Sequence, residues 1–438
     1  MPPSKQILRE IFHQTLSSID IPSVMERKLE SKGSQLVLPS SCIDLAGISR
    51  VVVIAVGKAA HAMAIGFLPF VPAQASLQGV VVAPTPPPAR HYPSFEYFVG
   101  GHPIPTPASM HAAAAILDLL RTCDSRTLAV FLLSGGASAL VDLPLDAAMN
   151  LEDVQSVHRL LVTCGAPIEA MNTVRRHLSA VKGGRLALAA GAAKKITLAV
   201  TDVPVGKEAA LASGPSLPDP TTIADVHRIF ADYELLQKFP TTLRQWIASS
   251  LMPETPKADH PAFRNSCFEV LLNMHDLFHA AHHAVEAHGY ATVCDNSTDD
   301  WPVEKAADNL LSQLESWQRA NRGERVAIIA DGEVSSPVTG TGIGGRNSAF
   351  ALSCVEKIAG RKIAILSAGT DGIDGNSPAA GAVADGETLA RAKSSGLDPR
   401  RAFANSDAFT FFSALEDAIV TGPTGNNLRD LRVLLAEP

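Results

Sequence analysis

Apolar residues along the chain fall into short, unalternated runs that each stop at a small or polar residue. They are Val51–Val56, Gly79–Ala83, Leu128–Leu133, Ile196–Val200, Phe268–Asn273, Tyr290–Cys294, Val326–Ala330 and Ile363–Leu366. Runs of this length without alternation suit strands buried on both faces of a parallel sheet. Stretches with helical periodicity lie between many of them: 59–67, 108–121, 169–190, 276–288, 303–322 and 347–359. The alternation predicts an α/β fold whose ligands bind where strands end and loops begin. Residues 249–265 break the pattern with Pro253, Pro256 and Pro261. The expected organisation is therefore two α/β domains, 1–260 and 261–438, with the active site in the cleft between them. The start of the chain, with Leu8, Ile11, Phe12 and Leu16 at helical spacing, reads as an amphipathic helix rather than a secretory signal.

Composition narrows the class. Of 438 residues 46% are hydrophobic and only 18% charged, which excludes a disordered or coiled-coil chain. The net charge of −7 argues against a nucleic-acid partner. No apolar stretch approaches the ~18 residues of a membrane span. Six cysteines without metal-type spacing read as reduced thiols, so a cytoplasmic location is expected. Oligomeric state is not legible.

The loops after the strands carry the candidate chemistry. Gly340-Thr341-Gly342-Ile343-Gly344-Gly345-Arg346-Asn347 precedes a helical stretch. Its glycines could turn successive N–H groups inward as an anion nest, with Arg346 adding a planar fork. The alternative is a flexible loop with a solvated arginine. Ser134-Gly135-Gly136-Ala137-Ser138 directly follows a strand and could approach a phosphate or carboxylate, or simply make a tight turn. Gly57-Lys58 puts a lysine at a strand's carboxyl end. Asn172, Arg175, Ser179 and Lys182, spaced 3, 4 and 3, would line one stripe of a helix, either an anion-site wall or a solvated face. Asp202, Asp331, Glu333, Asp371 and Asp374 are loop carboxylates of the kind magnesium takes in ones and twos. His275, His279, His282 and His283 lack a zinc pattern and read as a polar helix face.

In order, these loops resemble the class II, MOFRL-containing glycerate 2-kinases. The likeness rests on Val56-Gly57-Lys58-Ala59-Ala60, Gly101-His102-Pro103, Ser134–Leu140, Asn172–Ser179, Lys182–Ala187, Ala212-Ser213-Gly214-Pro215, Asp219–Thr222, Gly344–Asn347, Gly369–Gly375 and Thr421–Gly425. Together they span about Val51 to Arg432. The resemblance implies a Rossmann-like α/β/α amino-terminal domain and a smaller α/β carboxyl-terminal domain around a cleft. It also implies ATP-dependent phosphorylation of D-glycerate at its 2-hydroxyl with a divalent metal, and it places the family's essential lysine and arginine on Lys58 and Arg346. The expected site is then Lys58 and Arg346 for catalysis, and Ser134, Gly135, Gly136, Ser138, Asn172, Arg175, Lys182, Gly344, Gly345 and Asn347 for anions. Asp202 or Asp371 would hold Mg2+, and D-glycerate and ATP would be the small-molecule partners. Val205, Val334, Ser348 and Asn426 depart from the family's usual loops. Hydroxypyruvate reduction and non-catalytic nucleotide or carboxylate binding are the competing readings, the former without a sound dinucleotide fingerprint.

Overall fold

The computed structural model describes residues 4–89, 91–201, 203, 208–249 and 251–438. The chain divides into two compact units, Ile21–Leu271 and Met1–Asp20 with Leu272–Pro438. This division differs from the one expected at 260/261 in two respects. The strand Ser266–Leu272 completes the first unit's sheet, where Lys195 N donates to Asn265 O at 2.8 Å. The amino-terminal helix α1 (Ser4–Ser18) belongs to the second unit.

The first unit holds strands β1 (Arg50–Val56), β2 (Ser76–Ala83), β3 (Phe95–Val99), β4 (Thr127–Leu133), β5 (Lys194–Val200) and β6 (Ser266–Leu272), in the spatial order 3-2-1-4-5-6. The pairs β1–β2, β1–β4, β2–β3 and β4–β5 are parallel. The order reverses between β1 and β4, the switch point where open α/β sheets place ligands. Val52, Ile54, Val56, Ala129, Phe131 and Leu133 share one core with Ile116 and Leu120 of the helix α2 (Pro107–Arg121). Their alternate neighbours Val51, Val53, Ala55, Leu128, Val130 and Leu132 are equally buried. Two covered faces explain why the runs do not alternate.

The second unit repeats that logic with mixed pairing. Its strands are β7 (Ala291–Asp295), β8 (Val326–Asp331), β9 (Ile363–Gly369), β10 (Gly381–Asp385), β11 (Ala418–Ile419) and β12 (Asp430–Ala436), ordered 7-8-12-9-10-11. Only β7–β8 is parallel; β12 runs antiparallel between β8 and β9. Val326, Ile328 and Ala330 pack with Leu310, Leu314 and Phe350, whereas Ala327 and Ile329 pack with Leu8, Ile11 and Phe12 of α1. The apolar stripe of the first helix thus closes one face of a sheet formed more than 270 residues later. The strand β12 escapes a reading by hydrophobic runs because Asp430 and Arg432 interrupt it. Both are buried, and Arg432 Nη2 donates to the backbone oxygens of Asp331 and Gly332.

The helix expected over 169–190 is two pieces, α3 (Ile168–Leu178) and a short turn Arg185–Ala189. Ser179 is extended, and Gly183 and Gly184 take φ of +56° and +82°, which end the helix between them.

Candidate functional site

In the first unit the loops after β1, β3 and β4 converge on Gly136. The Ser134 amide donates to Val56 O at 3.0 Å, Lys58 N to Gly135 O at 3.0 Å, and Ala59 N to the Ser134 hydroxyl at 3.0 Å. Gly57 makes this closeness feasible: at φ +132°, a Cβ there would lie 2.1 Å from Ser134 Oγ. A Cβ on Gly136, at φ +84°, would meet the His102 ring at 3.1 Å and Lys58 Cγ at 3.5 Å. Lysine, imidazole and glycine turn therefore face one small volume at the carboxyl ends of three strands. Among the described residues no acceptor takes the Gly135 or Gly136 amides. Two such amides, close to a lysine and an imidazole, are the ingredients from which anion cradles are built. Burial and the Lys58 charge both hold His102 below the ordinary histidine range, which keeps the imidazole neutral at pH 7.

A hydrogen-bonded chain extends the cradle. The Ser138 and Ser213 hydroxyls are 3.0 Å apart, Ser213 Oγ donates to Asn172 Oδ1 at 3.1 Å, and Arg175 Nη1 reaches the same oxygen at 3.5 Å. Burial lowers the Arg175 pKa from its usual value, and its Nε has no hydrogen-bond partner among the described residues. Ser213 is fully buried at φ +60°, next to Ala212 at +54°. Two consecutive non-glycine residues in the left-handed region are costly, and such strain is retained where a side chain must be aimed. Neither Ser213 nor His102 stood among the residues expected from sequence, although both lie in the quoted motifs Ala212-Ser213-Gly214 and Gly101-His102-Pro103.

Lys182 is placed differently from the expectation. The break at Ser179 removes it from the α3 stripe, and it is 1% exposed. Its Nζ pairs with Asp142 Oδ2 at 2.7 Å, while His158 Nε2 is 2.7 Å from the same oxygen and Ser179 Oγ donates to Oδ1 at 2.6 Å. Burial alone would raise the Asp142 pKa, but Lys182 and His158 outweigh it and hold the carboxyl well below the usual range. Lys182 is committed to a buried ion pair behind Arg175, because an unpaired carboxylate there would be far costlier than the pair.

In the second unit, the glycine loop before α4 (Arg346–Val355) is filled by the chain itself. Gly342 N donates to Asn405 O at 3.0 Å, Ile343 N to Asp407 Oδ1 at 3.0 Å, Gly344 N to Asn376 Oδ1 at 2.8 Å and Gly345 N to Ser348 Oγ at 3.3 Å. Asp374, 1% exposed, accepts the amides of Asn347 at 2.9 Å and Ser348 at 2.8 Å. The helix N-terminus thus already holds a carboxylate. The expected nest at Gly344 and Gly345 is a backbone packing joint: a Cβ on Gly345 would lie 2.3 Å from Asp374 Oδ1, and one on Gly375 2.3 Å from Gly344 O. The Asn347 side chain accepts from Ser367 Oγ at 2.7 Å and is buried.

Arg346 donates through Nε to Asp430 Oδ2 at 2.5 Å, through Nη2 to Asp430 Oδ1 at 3.3 Å and through Nη1 to Glu333 Oε2 at 2.6 Å. Burial works against its charge, yet the two carboxylates raise its pKa above the ordinary arginine value. Nearby, Asp331 is fully buried with Oδ1 lacking a partner among the described residues, and burial raises its pKa despite Arg429. Asp371 follows β9, part-buried, with Oδ1 accepting from Ile373 N at 3.0 Å. Asp202 lies outside the described residues. Among the described residues no group of three or more His, Cys, Asp or Glu side chains is placed to hold a metal. A hard loop carboxylate such as Asp371 suits magnesium, which keeps water and phosphate oxygens in its shell, better than zinc.

A sheet ordered 3-2-1-4-5-6, parallel in its first four pairs, with a lysine, an imidazole and a glycine turn at its switch point, defines a doubly wound α/β protein, here joined to a second, mixed α/β unit. Residues 7–248 match the family model described as "Domain of unknown function (DUF4147)" and residues 326–430 match the MOFRL family model. D-glycerate 2-kinase of Thermotoga maritima is 33% identical over 88% of this chain and 90% of its own. A protein of Agrobacterium vitis, provisionally named a hydroxypyruvate reductase, is 33% identical over 99% of this chain and 94% of its own. The crystal structure of a Thermotoga maritima glycerate kinase superimposes with a TM-score of 0.83 at 30% identity, covering 99% of both chains. The chain belongs to the MOFRL-containing glycerate kinase family. Among the described residues no helix is long and apolar enough to cross a membrane.

Proposed function

We propose that this protein transfers the γ-phosphoryl group of ATP to the 2-hydroxyl of D-glycerate, giving 2-phospho-D-glycerate and ADP. The observation that carries the reading is the cradle of Lys58, His102 and the Gly135 and Gly136 amides at the switch point, in a chain of this family. Phosphoryl transfer asks a protein chiefly to align reactants and neutralise phosphate oxygens. Lys58 and the open amides supply that neutralisation without covalent chemistry.

His102 is neutral and can accept the proton leaving the glycerate hydroxyl as the new O–P bond forms. The Ser138–Ser213–Asn172–Arg175 chain supplies hydroxyl and guanidinium donors for a carboxylate or phosphate. Lys182 supports it from behind by fixing Asp142. Arg346 is assigned to catalysis on the family pattern, its guanidinium oriented by Asp430 and Glu333. Gly344, Gly345 and Asn347 hold the loop that presents it. Magnesium bound by Asp371 or Asp202 would spread the negative charge of the triphosphate.

The test is ADP release with D-glycerate, ATP and Mg2+, with phosphorus NMR of the product. Release that depends on all three, giving the 2-phosphate, is expected; the 3-phosphate alone, or no release, overturns the reading. The strand order and the Agrobacterium relative favour a second reading, hydroxypyruvate reduction. Its first strand-to-helix turn reads Val56-Gly57-Lys58-Ala59, without the glycines a dinucleotide pyrophosphate needs. NAD(P)H oxidation by hydroxypyruvate in the same preparation separates the two.

A further inference from the structure

A cavity of about 230 Å³ lies in the first unit between the helix Ala60–Phe67 and the crossover from β2 to β3. His61, Ile65, Pro88, Tyr92, Phe95 and Tyr97 line it. Aromatic side chains are scarce in this protein, at 5% of residues, yet two of its four tyrosines stand here. The rings are already arranged against one another. His61 and Tyr97 are near-parallel at 26° with centroids 6.0 Å apart, and His91 meets Tyr97 edge-on at 5.3 Å. Nothing in the anion cradle requires this grouping.

The chain links the two features directly. His61 follows Lys58 by three residues, about one helical turn, and its Nε2 lies 3.2 Å from Thr85 O, just past the end of β2. The cavity wall therefore begins about one helical turn after the lysine, on the β1–β2–β3 half of the sheet. A phosphorylated ligand held at Lys58 with a flat, apolar end would place that end against these rings. We infer that the cavity is the nucleobase subsite, taking the purine of the phosphoryl donor by stacking and apolar contact. The inference rests on the kinase reading and deepens it by assigning the base-binding surface.

Calorimetric titration of the full-length protein with ADP, and separately with inorganic tripolyphosphate, tests it without turnover. Ile65 is 45% exposed, so Ile65→Trp fills the cavity from the solvent side without disturbing the core. Ile65→Trp and Tyr97→Ala should each weaken ADP at least about tenfold, while Tyr97→Phe retains binding and tripolyphosphate affinity is unchanged in all three. Wild-type ADP affinity in Ile65→Trp, in a protein that still transfers phosphoryl groups, overturns the subsite and leaves the kinase reading standing. A wild-type protein that neither binds ADP nor phosphorylates glycerate overturns both. Equal loss of ADP and tripolyphosphate binding assigns the effect to the cradle and also overturns the subsite.

Discussion

Arg346 and Asp430 meet at two points, Nε on Oδ2 at 2.5 Å and Nη2 on Oδ1 at 3.3 Å, so the guanidinium plane is fixed before any ligand arrives. A lysine at this position would keep the charge and lose the plane. Arg346→Ala should lower kcat by about 10³–10⁵, and Arg346→Lys should recover only part of that loss. Steady-state kinetics beside far-UV circular dichroism checks this. Full activity in a folded Arg346→Ala protein removes the residue from catalysis.

His102 gives the reaction a pH signature. Burial and Lys58 depress its pKa, so the neutral, proton-accepting form persists to a pH below the ordinary histidine value of 6.5. Activity should be level near pH 7 and fall only on the acid side, as the imidazole gains a proton. His102→Gln should lower kcat by about 10²–10⁴ and abolish that acid limb. An unchanged limb in the variant would assign it to another group.

The Lys182–Asp142 pair should report on stability. The Asp142 pKa is held below its unfolded value, so its stabilising contribution is complete above about pH 4 and is lost as pH falls through the folded-state value. Lys182→Ala leaves a buried carboxylate without its cation and should cost about 3–5 kcal/mol in urea unfolding. A loss of substrate affinity at full stability would instead return Lys182 to the ligand.

Gly57 tests the turn itself. A methyl group 2.1 Å from Ser134 Oγ and 2.7 Å from Ser134 O cannot be accommodated without parting β1 from β4. Gly57→Ala should destabilise by about 1–3 kcal/mol or more. Its remaining folded fraction should bind ADP weakly, since Lys58 moves with the turn. Thermal melts and calorimetry would show both.

How much of this was legible follows from how local each signal is. Runs such as Val51–Val56 and Leu128–Leu133 announce themselves because both faces of their sheet are covered. Lys58 and Ser134–Ser138 follow those strands immediately, so the sheet fixes their place. The nest at Gly344 and Gly345 misleads because its amides are taken by Asn376 and Ser348, the neighbouring Ile343 amide by Asp407, and the helix behind it by Asp374. Glycine spacing shows that N–H groups can turn inward, and says nothing of which residue 30 or 60 positions away arrives to meet them. Lys182 misleads for a like reason: its partner is 40 residues earlier, and residues 179–181 separate it from the helix whose periodicity it seems to continue. Asp430 and Arg432 hide a central strand because charged residues there are buried by partners rather than by hydrophobicity.

The position of β12 bears on how the protein is made. Residues 430–436 are made after the other strands of the second sheet and sit between β8 and β9, so that sheet stays split until they emerge from the ribosome. The first unit, continuous from Ile21 to Leu271, can close while the rest is still being translated. Through that interval α1 keeps Leu8, Ile11 and Phe12 without the face that will cover them. A nascent chain held just short of Asp430 should therefore be protease-resistant over its middle and cleavable at both ends.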